Sequence, residues 1–246
     1  MLIDIHCHLN CLSLEEKEKI LSLANDYLFV DSSINYQTSL ESIKLSKNCS
    51  FIYSSLGFHP FYAEAFKDSL KEEYQRLIKE NKKIIAFGEI GLDYKAKVSL
   101  KEQEKILCIF LKLAKENNLP LVIHNREESW RVLKILDGFF SSYEKIVFHC
   151  FSYSTSVLKK ITEKKGYVSF SLNILRKKEE IITSLKNCPL ECLLLETDSP
   201  YMKIGNRDSF PYDIKEVYSF VADLKSIEKK ELEEKIFYNT KRLFNI

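Results

Sequence analysis

The amino-acid sequence predicts a single (β/α)8 barrel of the α/β class, with an extra helix at the C-terminus. Eight short apolar or β-branched runs alternate with helical segments along 246 residues. That length is typical of such barrels, which need about 250 residues. Strands alternating with helices indicate βαβ units on a parallel sheet, and an eightfold alternation favours closure. A doubly wound open sheet is the alternative, and no domain boundary interrupts residues 1–246.

The predicted strands are runs of four to six residues, a length that suits strands better than helices. They span 2–6, 27–32, 51–56, 84–89, 121–124, 145–149, 167–170 and 192–197. Lys- and Glu-rich segments with an apolar stripe at helical spacing lie between them. These predicted helices span 14–25, 36–48, 66–81, 100–118, 128–140, 155–164, 178–187 and 212–225, and a last helix at about 229–244 closes the chain. Ser99, with Glu102 three residues later, is a typical helix N-cap.

Composition excludes several classes of protein. The net charge of +2, from 37 basic and 35 acidic residues, is too small for a protein that wraps nucleic acid over its whole surface. Seven scattered cysteines without a CxxC pair indicate reduced thiols rather than a structural zinc site. No run approaches the roughly 20 apolar residues of a membrane span. We therefore expect a cytoplasmic protein with no membrane partner.

All five histidines lie at or just beyond the C-terminal end of a predicted strand; they are His6, His8, His59, His124 and His149. In a barrel these positions gather on one rim, where such enzymes place their chemistry. A lone histidine is more often an ordinary half-buried residue. Five at equivalent strand ends indicate a functional cluster.

His6 and His8 are two residues apart on a strand, so both imidazoles point to the same face and can chelate one ion. Asp4 shares this parity; it either orients a ligating imidazole or is a simple polar residue of the strand. Glu89 ends an apolar strand, and its two oxygens can bridge two cations. Asp93 is a further ligand or, as we favour, a loop-capping residue.

Asp198 follows the last predicted strand and precedes Ser199 and Pro200. Glu196 has the same parity, so one carboxylate ligates while the other supports. We choose Asp198 because it lies nearer the rim. Mixed imidazole and carboxylate donors favour a transition metal, whereas magnesium sites more usually contain oxygen alone.

Through these residues, the chain resembles the TatD family of metal-dependent deoxyribonucleases, which is part of the wider group of metallo-dependent hydrolase barrels. The resemblance covers essentially the whole chain. It rests on Ile3-Asp4-Ile5-His6-Cys7-His8-Leu9, Gly57-Phe58-His59-Pro60, Gly88-Glu89-Ile90-Gly91-Leu92-Asp93-Tyr94, Ile123-His124-Asn125-Arg126, Phe148-His149-Cys150-Phe151-Ser152, Glu196-Thr197-Asp198-Ser199-Pro200-Tyr201 and Asn239-Thr240-Lys241-Arg242-Leu243-Phe244.

The resemblance implies a metal site and its catalytic residues. One metal is then held by His6, His8, Glu89 and Asp198. A second shares Glu89 and is completed by His124 and His149, and His59 lies near the substrate. We expect two divalent ions (Mg²⁺, Mn²⁺ or Zn²⁺), with Asp198, Glu89 and His59 as the catalytic residues.

Three features depart from the family pattern. Tyr153 stands where Gly is usual, the segment after Ser171 lacks a common Gly, and the loop 203–208 is short. None of these removes a ligand. They bear on substrate choice and loop shape.

The predicted function is hydrolysis of DNA phosphodiester bonds through a metal-activated water, by 3′-to-5′ exonuclease action on single-stranded or frayed ends. Arg126 is expected to pair with a phosphate, and Tyr94 and Tyr153 are expected to stack on bases. Arg207 is a weaker candidate for a phosphate contact. No obligate protein partner is evident. One alternative is an amidohydrolase or esterase acting on a cyclic amide, lactone or aminoacyl ester. Another is a barrel that binds metal or a partner without catalysis.

Overall fold

The computed structural model describes residues 1–22, 26–126 and 129–246, and within them eight strands form one parallel sheet in chain order. The strands are β1 (Leu2–Cys7), β2 (Tyr27–Ser32), β3 (Ile52–Leu56), β4 (Ile84–Asp93), β5 (Leu121–Arg126), β6 (Ile146–Phe148), β7 (Tyr167–Phe170) and β8 (Leu193–Leu195). Every neighbouring pair is parallel. The predicted barrel is confirmed, although β4 runs four residues past its predicted end at Glu89.

Helices follow the strands at the predicted places. They are α1 (Leu14–Leu21), α2 (Tyr36–Asn48), α3 (Leu70–Glu80), α4 (Leu100–Asn117), α5 (Ser129–Asp137), α6 (Thr155–Glu163), α7 (Glu179–Asn187), α8 (Ile214–Lys225) and α9 (Lys229–Phe244). The predicted extra C-terminal helix is α9. None of these described helices combines the length and the apolar character needed to cross a membrane.

Three predicted helix bounds need correction or fall partly outside the described residues. The helix predicted from 66 begins at Leu70, because 60–65 form a separate 3-10 turn that starts at Pro60. The ends predicted at 23–25 and at 128 lie outside the described residues. The short loop 203–208 contains a two-stranded hairpin of β9 (Lys203–Ile204) and β10 (Arg207–Asp208).

Helix α4 shows how the local sequence determines an element. The hydroxyl of Ser99 accepts the backbone N–H of Glu102 at 3.3 Å, so the predicted N-cap is confirmed. Its predicted apolar stripe is buried against the barrel, and it consists of Ile106, Leu107, Phe110, Leu111 and Ala114. Burial of these side chains attaches the helix outside β4.

The ends of β1 and β8 meet, and this contact nearly closes the barrel. The N–H of Asp198 donates to the carbonyl of His6 at 3.0 Å, and the N–H of His8 donates to the carbonyl of Ser199 at 2.8 Å. Backbone pairing therefore places the first predicted histidines beside Asp198, although almost the whole chain separates them.

Asp4 supports the same seam. Its carboxylate accepts the backbone N–H of Thr197 at 3.0 Å and the hydroxyl of Thr197 at 2.5 Å. It also accepts the backbone N–H of His6 at 3.2 Å. The suggested role of orienting an imidazole is thus replaced by a structural one, because Asp4 contacts Thr197 and a backbone N–H rather than a histidine ring.

Two glycines let β4 approach β5 closely near Glu89. A Cβ atom added at Gly88 would lie 2.4 Å from the Cβ of Val122, and one added at Gly91 would lie 1.7 Å from the carbonyl oxygen of His124. Gly91 also has φ +156°, which side chains rarely adopt. Glycine at these positions therefore keeps Glu89 and His124 on adjacent strands in contact.

We expect Gly91→Ala to lower the free energy of unfolding by about 3 kcal/mol or more, because the new methyl group overlaps backbone that cannot retreat. Urea denaturation followed by circular dichroism measures this change. Gly138→Ala is the matched control, since its added Cβ meets only the carbonyl oxygen of Ile135, at 3.3 Å. Equal stability of the two variants would contradict the close approach of β4 and β5.

Candidate metal centre

Four predicted ligands converge near the C-terminal ends of β1 and β8 and beside the middle of β4. The Nε2 atoms of His6 and His8 are 3.2 Å apart. Glu89 Oε2 lies 3.5 Å from the Nε2 of His6 and 3.7 Å from that of His8. Asp198 Oδ1 lies 3.8 and 3.4 Å from the same two atoms. Donors around one tetrahedral zinc-like ion are about 3.4 Å apart, so the spacing of His6, His8 and Glu89 fits a single cation, and Asp198 Oδ1 lies beside the two histidines of that set.

The histidine rings of this group are fixed so that Nε2 faces the other donors. His8 Nδ1 lies 2.9 Å from the carbonyl oxygen of Ser32 and must donate to it, which leaves a lone pair on Nε2 of the neutral ring. His6 Nδ1 lies 3.0 Å from the hydroxyl of Ser32. Sequence reasoning missed Ser32, whose position at the end of β2 was the available signal.

A second donor group surrounds the other oxygen of Glu89. Glu89 Oε1 lies 2.5 Å from His124 Nδ1 and 2.9 Å from His149 Nε2. These two nitrogens are 3.2 Å apart. The carboxylate thus directs one oxygen to each group, which is the arrangement a bridging ligand needs.

Asp93 supports the second group. Its Oδ2 lies 3.0 Å from His124 Nε2, and its Oδ1 accepts the backbone N–H of Lys95 at 2.8 Å. Because a carboxylate accepts hydrogen bonds, Nε2 of His124 carries the hydrogen. Nδ1 then keeps the lone pair that can bind a metal ion. Asp93 therefore caps the loop, as we favoured, and also orients a histidine.

Glu196 lies behind His149. It belongs neither to the four-residue group that contains His6 and His8 nor to the three-residue group that contains His124. Its Oε1 accepts the backbone N–H of Cys150 at 2.6 Å, and its Oε2 accepts the hydroxyl of Ser169 at 2.5 Å. Its Oε1 is also 3.5 Å from His149 Nδ1. Glu196 also forms a possible donor set with His6 and His149, so the choice of Asp198 as the ligating carboxylate stays a prediction.

The buried carboxylates of the site are held in their ionised form. Burial alone would raise the pKa of Glu89 and of Asp198. For Glu89, the neighbouring histidines, His149 foremost, outweigh burial and keep the pKa well below its usual value. For Asp198, the hydrogen bond with His8 lowers the pKa. Such a cluster needs positive charge, which protonated imidazoles or divalent cations supply, and the donor chemistry therefore fits metal ions.

His59 differs from the other histidines. Its Nδ1 accepts the backbone N–H of Phe61 at 3.1 Å, so the hydrogen of the neutral ring is on Nε2. Burial lowers the pKa of His59 to about 4, which keeps the ring neutral at pH 7. Nε2 lies 3.5 Å from Glu89 Oε1. His59 is thus placed as a hydrogen-bond donor into the site.

A cavity of about 1140 Å³ opens above the two donor groups. Of the predicted substrate residues, Arg126, Tyr94 and Tyr153 line it. Arg207 is not among the lining residues; both terminal nitrogens of its guanidinium lie 2.8 Å from the Asp213 carboxylate. The suggested substrate role of Arg207 is corrected accordingly, because this ion pair anchors the β9–β10 hairpin.

A parallel eight-stranded barrel with imidazole and carboxylate donors clustered at its C-terminal rim defines a metal-dependent hydrolase barrel. Comparison with known proteins supports the same class. Residues 3–245 match the family described as TatD related DNase. The chain belongs to this family, and it is a metal-dependent hydrolase of the TatD type.

Individual relatives align over the full barrel. An uncharacterised metal-dependent hydrolase of Methanocaldococcus jannaschii is 32% identical over 249 residues, which cover 98% of this chain and 96% of the relative. YabD of Bacillus subtilis, also described as an uncharacterised metal-dependent hydrolase, is 31% identical over all of both chains. The crystal structure of YjjV, a TatD homologue from Escherichia coli, superposes with a TM-score of 0.91 at 25% identity, covering 100% of this chain and 98% of YjjV.

We expect Glu89→Gln to lose at least one bound ion, because an amide offers one acceptor oxygen where two are needed. Activity should fall more than about 100-fold, since even partners outside the ligand set cost about 10- to 100-fold. Metal content by mass spectrometry and hydrolysis rate are the measurements. The exposed Glu163→Gln is the control, and full metal content in Glu89→Gln would refute the bridging geometry.

Proposed function

We propose that this hydrolase cleaves phosphodiester bonds of DNA at a two-metal site, removing nucleotides from 3′ ends of single strands or frayed duplexes. The observation that carries the proposal is the division of the Glu89 carboxylate between two donor groups beneath one cavity. Two ions held in this way suit in-line displacement at phosphorus. The family description as a DNase also supports it.

The metals, when bound, lower the pKa of water and neutralise charge on phosphoryl oxygens. The proposed roles of the protein residues follow from their positions. Asp198, ionised and beside His8, orients the attacking water and takes its proton. His59 donates its Nε2–H to an oxygen of the phosphoryl group. Glu89 contacts both donor groups and fixes their separation.

Arg126 is the proposed phosphate contact beside the reacting group. It lines the cavity, its side chain is 46% exposed, and its Nη1 lies 3.5 Å from Asp93 Oδ2. That carboxylate directs the guanidinium without covering it. A bidentate pair with a phosphate is the strongest contact that such a group makes.

Exposed aromatic rings surround the entrance and offer stacking surfaces for bases. They are Phe61, Tyr62, Tyr94 and Tyr201, each at least 40% exposed. Tyr201 packs edge-on against the ring of His8 at 4.8 Å between centroids, so a base stacked there would lie next to the first donor group.

One feature of the cavity favours the alternative of a small ester, lactone or cyclic amide as substrate. Among the described residues that line it, Arg126 is the single Lys or Arg. A polynucleotide usually meets several basic groups, whereas a small neutral substrate needs none.

Purified protein loaded with Mn²⁺, Mg²⁺ or Zn²⁺ separates the two candidates. Oligonucleotides labelled at the 5′ end should shorten progressively if the chain degrades DNA from 3′ ends. Internal fragments from the first turnover would instead show endonuclease action. Hydrolysis of esters, lactones or amides, with intact DNA under all three metals, would overturn the proposal.

We expect Arg126→Gln to raise KM for a single-stranded oligonucleotide and to reduce the salt dependence of binding by about one unit of log K against log salt, because one phosphate contact is lost. Arg207→Gln is the matched control. It should leave both quantities unchanged, since Asp213 already pairs with its guanidinium. The same loss in both variants, or in neither, would refute the phosphate role of Arg126.

A further inference from the structure

Tyr153 lines the cavity beside the candidate metal ligands. It lies in the segment between β6 and α6, where the family resemblance expects glycine, and its side chain lines the cavity. Glycine there would add no side chain to the wall. A tyrosine adds a whole ring between the strand end that carries His124 and the segment that follows His149.

The ring of Tyr153 is held in place from both ends. Its hydroxyl donates to the backbone carbonyl of Asn125 at 2.8 Å and accepts the side-chain amide of Asn125 at 2.9 Å. Its own backbone carbonyl accepts the hydroxyl of Ser184, on α7, at 2.6 Å. The ring also packs edge-on against the buried Phe151 at 5.8 Å. Swinging the ring aside would break both hydrogen bonds with Asn125.

The two sides of the cavity therefore differ. Tyr153 makes a hydrogen-bonded wall on the β5–β6 side. The exposed rings of Phe61, Tyr62 and Tyr201 lie at the entrance. About 1140 Å³ is close to the upper range of small-molecule pockets, about 1,000 Å³. A cavity of this size is smaller than a duplex end, so the width between its walls decides whether a second strand can enter.

We propose that the Tyr153 ring is a specificity-determining wall that closes the β5–β6 side of the cavity and excludes the second strand of a duplex end. This inference rests on the proposed nuclease function and names the residue that sets its preference for single strands. The ring sets the width, and its hydroxyl anchors it to the residue between His124 and Arg126.

The test compares kcat/KM for a blunt duplex with kcat/KM for its single strand, both labelled at the 5′ end. Tyr153→Gly should raise this duplex-to-single-strand ratio about tenfold or more, as expected for a changed pocket wall. Tyr153→Leu should raise it in the same direction and retains apolar packing against Phe151. Tyr153→Phe keeps the ring but loses both hydrogen bonds with Asn125, so it should raise the ratio less than the Gly and Leu variants do.

Hydrolysis of bis(p-nitrophenyl) phosphate, which is too small to need a widened cavity, is measured in each variant, because damage to the metal centre lowers this rate and both DNA rates together, whereas a changed wall alters the duplex-to-single-strand ratio. An unchanged ratio in a folded Leu or Gly variant overturns the inference. An equal rise in the Phe variant also overturns it, because the hydroxyl rather than the ring would then set specificity. Absence of DNA cleavage by the wild type would instead overturn the proposed function itself.

Discussion

The site depends on one carboxylate whose two oxygens face different sets of donors. Oε2 of Glu89 faces the histidine pair from β1, and Oε1 faces His124 and His149. This division requires that β4 place Glu89 inside the barrel, level with both sets of donors. The close glycine contacts between β4 and β5 provide that placement, so backbone packing and metal chemistry are one constraint.

Closure of the barrel has the same double role. Backbone hydrogen bonds from Asp198 to His6 and from His8 to Ser199 join the first and last strands and bring the donors together. Asp4 strengthens this seam from below. Burying so many ionisable groups opposes folding unless their charges are balanced. Positive charge from protonated imidazoles or bound cations therefore stabilises this end of the fold.

The eightfold alternation and the histidines at strand ends allowed the barrel and the converging ligands to be predicted, because periodicity determines which face and which end a side chain occupies. Partners between such positions were not predictable. Parity placed Asp4 with the histidines, yet its oxygens bind Thr197. Arg207 pairs with Asp213, and Tyr153 with Asn125, through loop geometry that no periodic pattern encodes. Ser32 stood at the end of a predicted strand, but its contacts with His6 and His8 depend on the pairing of β1 with β2.

Anomalous diffraction from crystals loaded with Mn²⁺ or Zn²⁺ tests the bridging role of Glu89 most directly. The geometry predicts two peaks, one about 2.0–2.2 Å from each oxygen of that carboxylate. His6 and His8 should contact one ion, and His124 and His149 the other. A single peak at full loading, or both Glu89 oxygens on the same ion, would contradict the shared site.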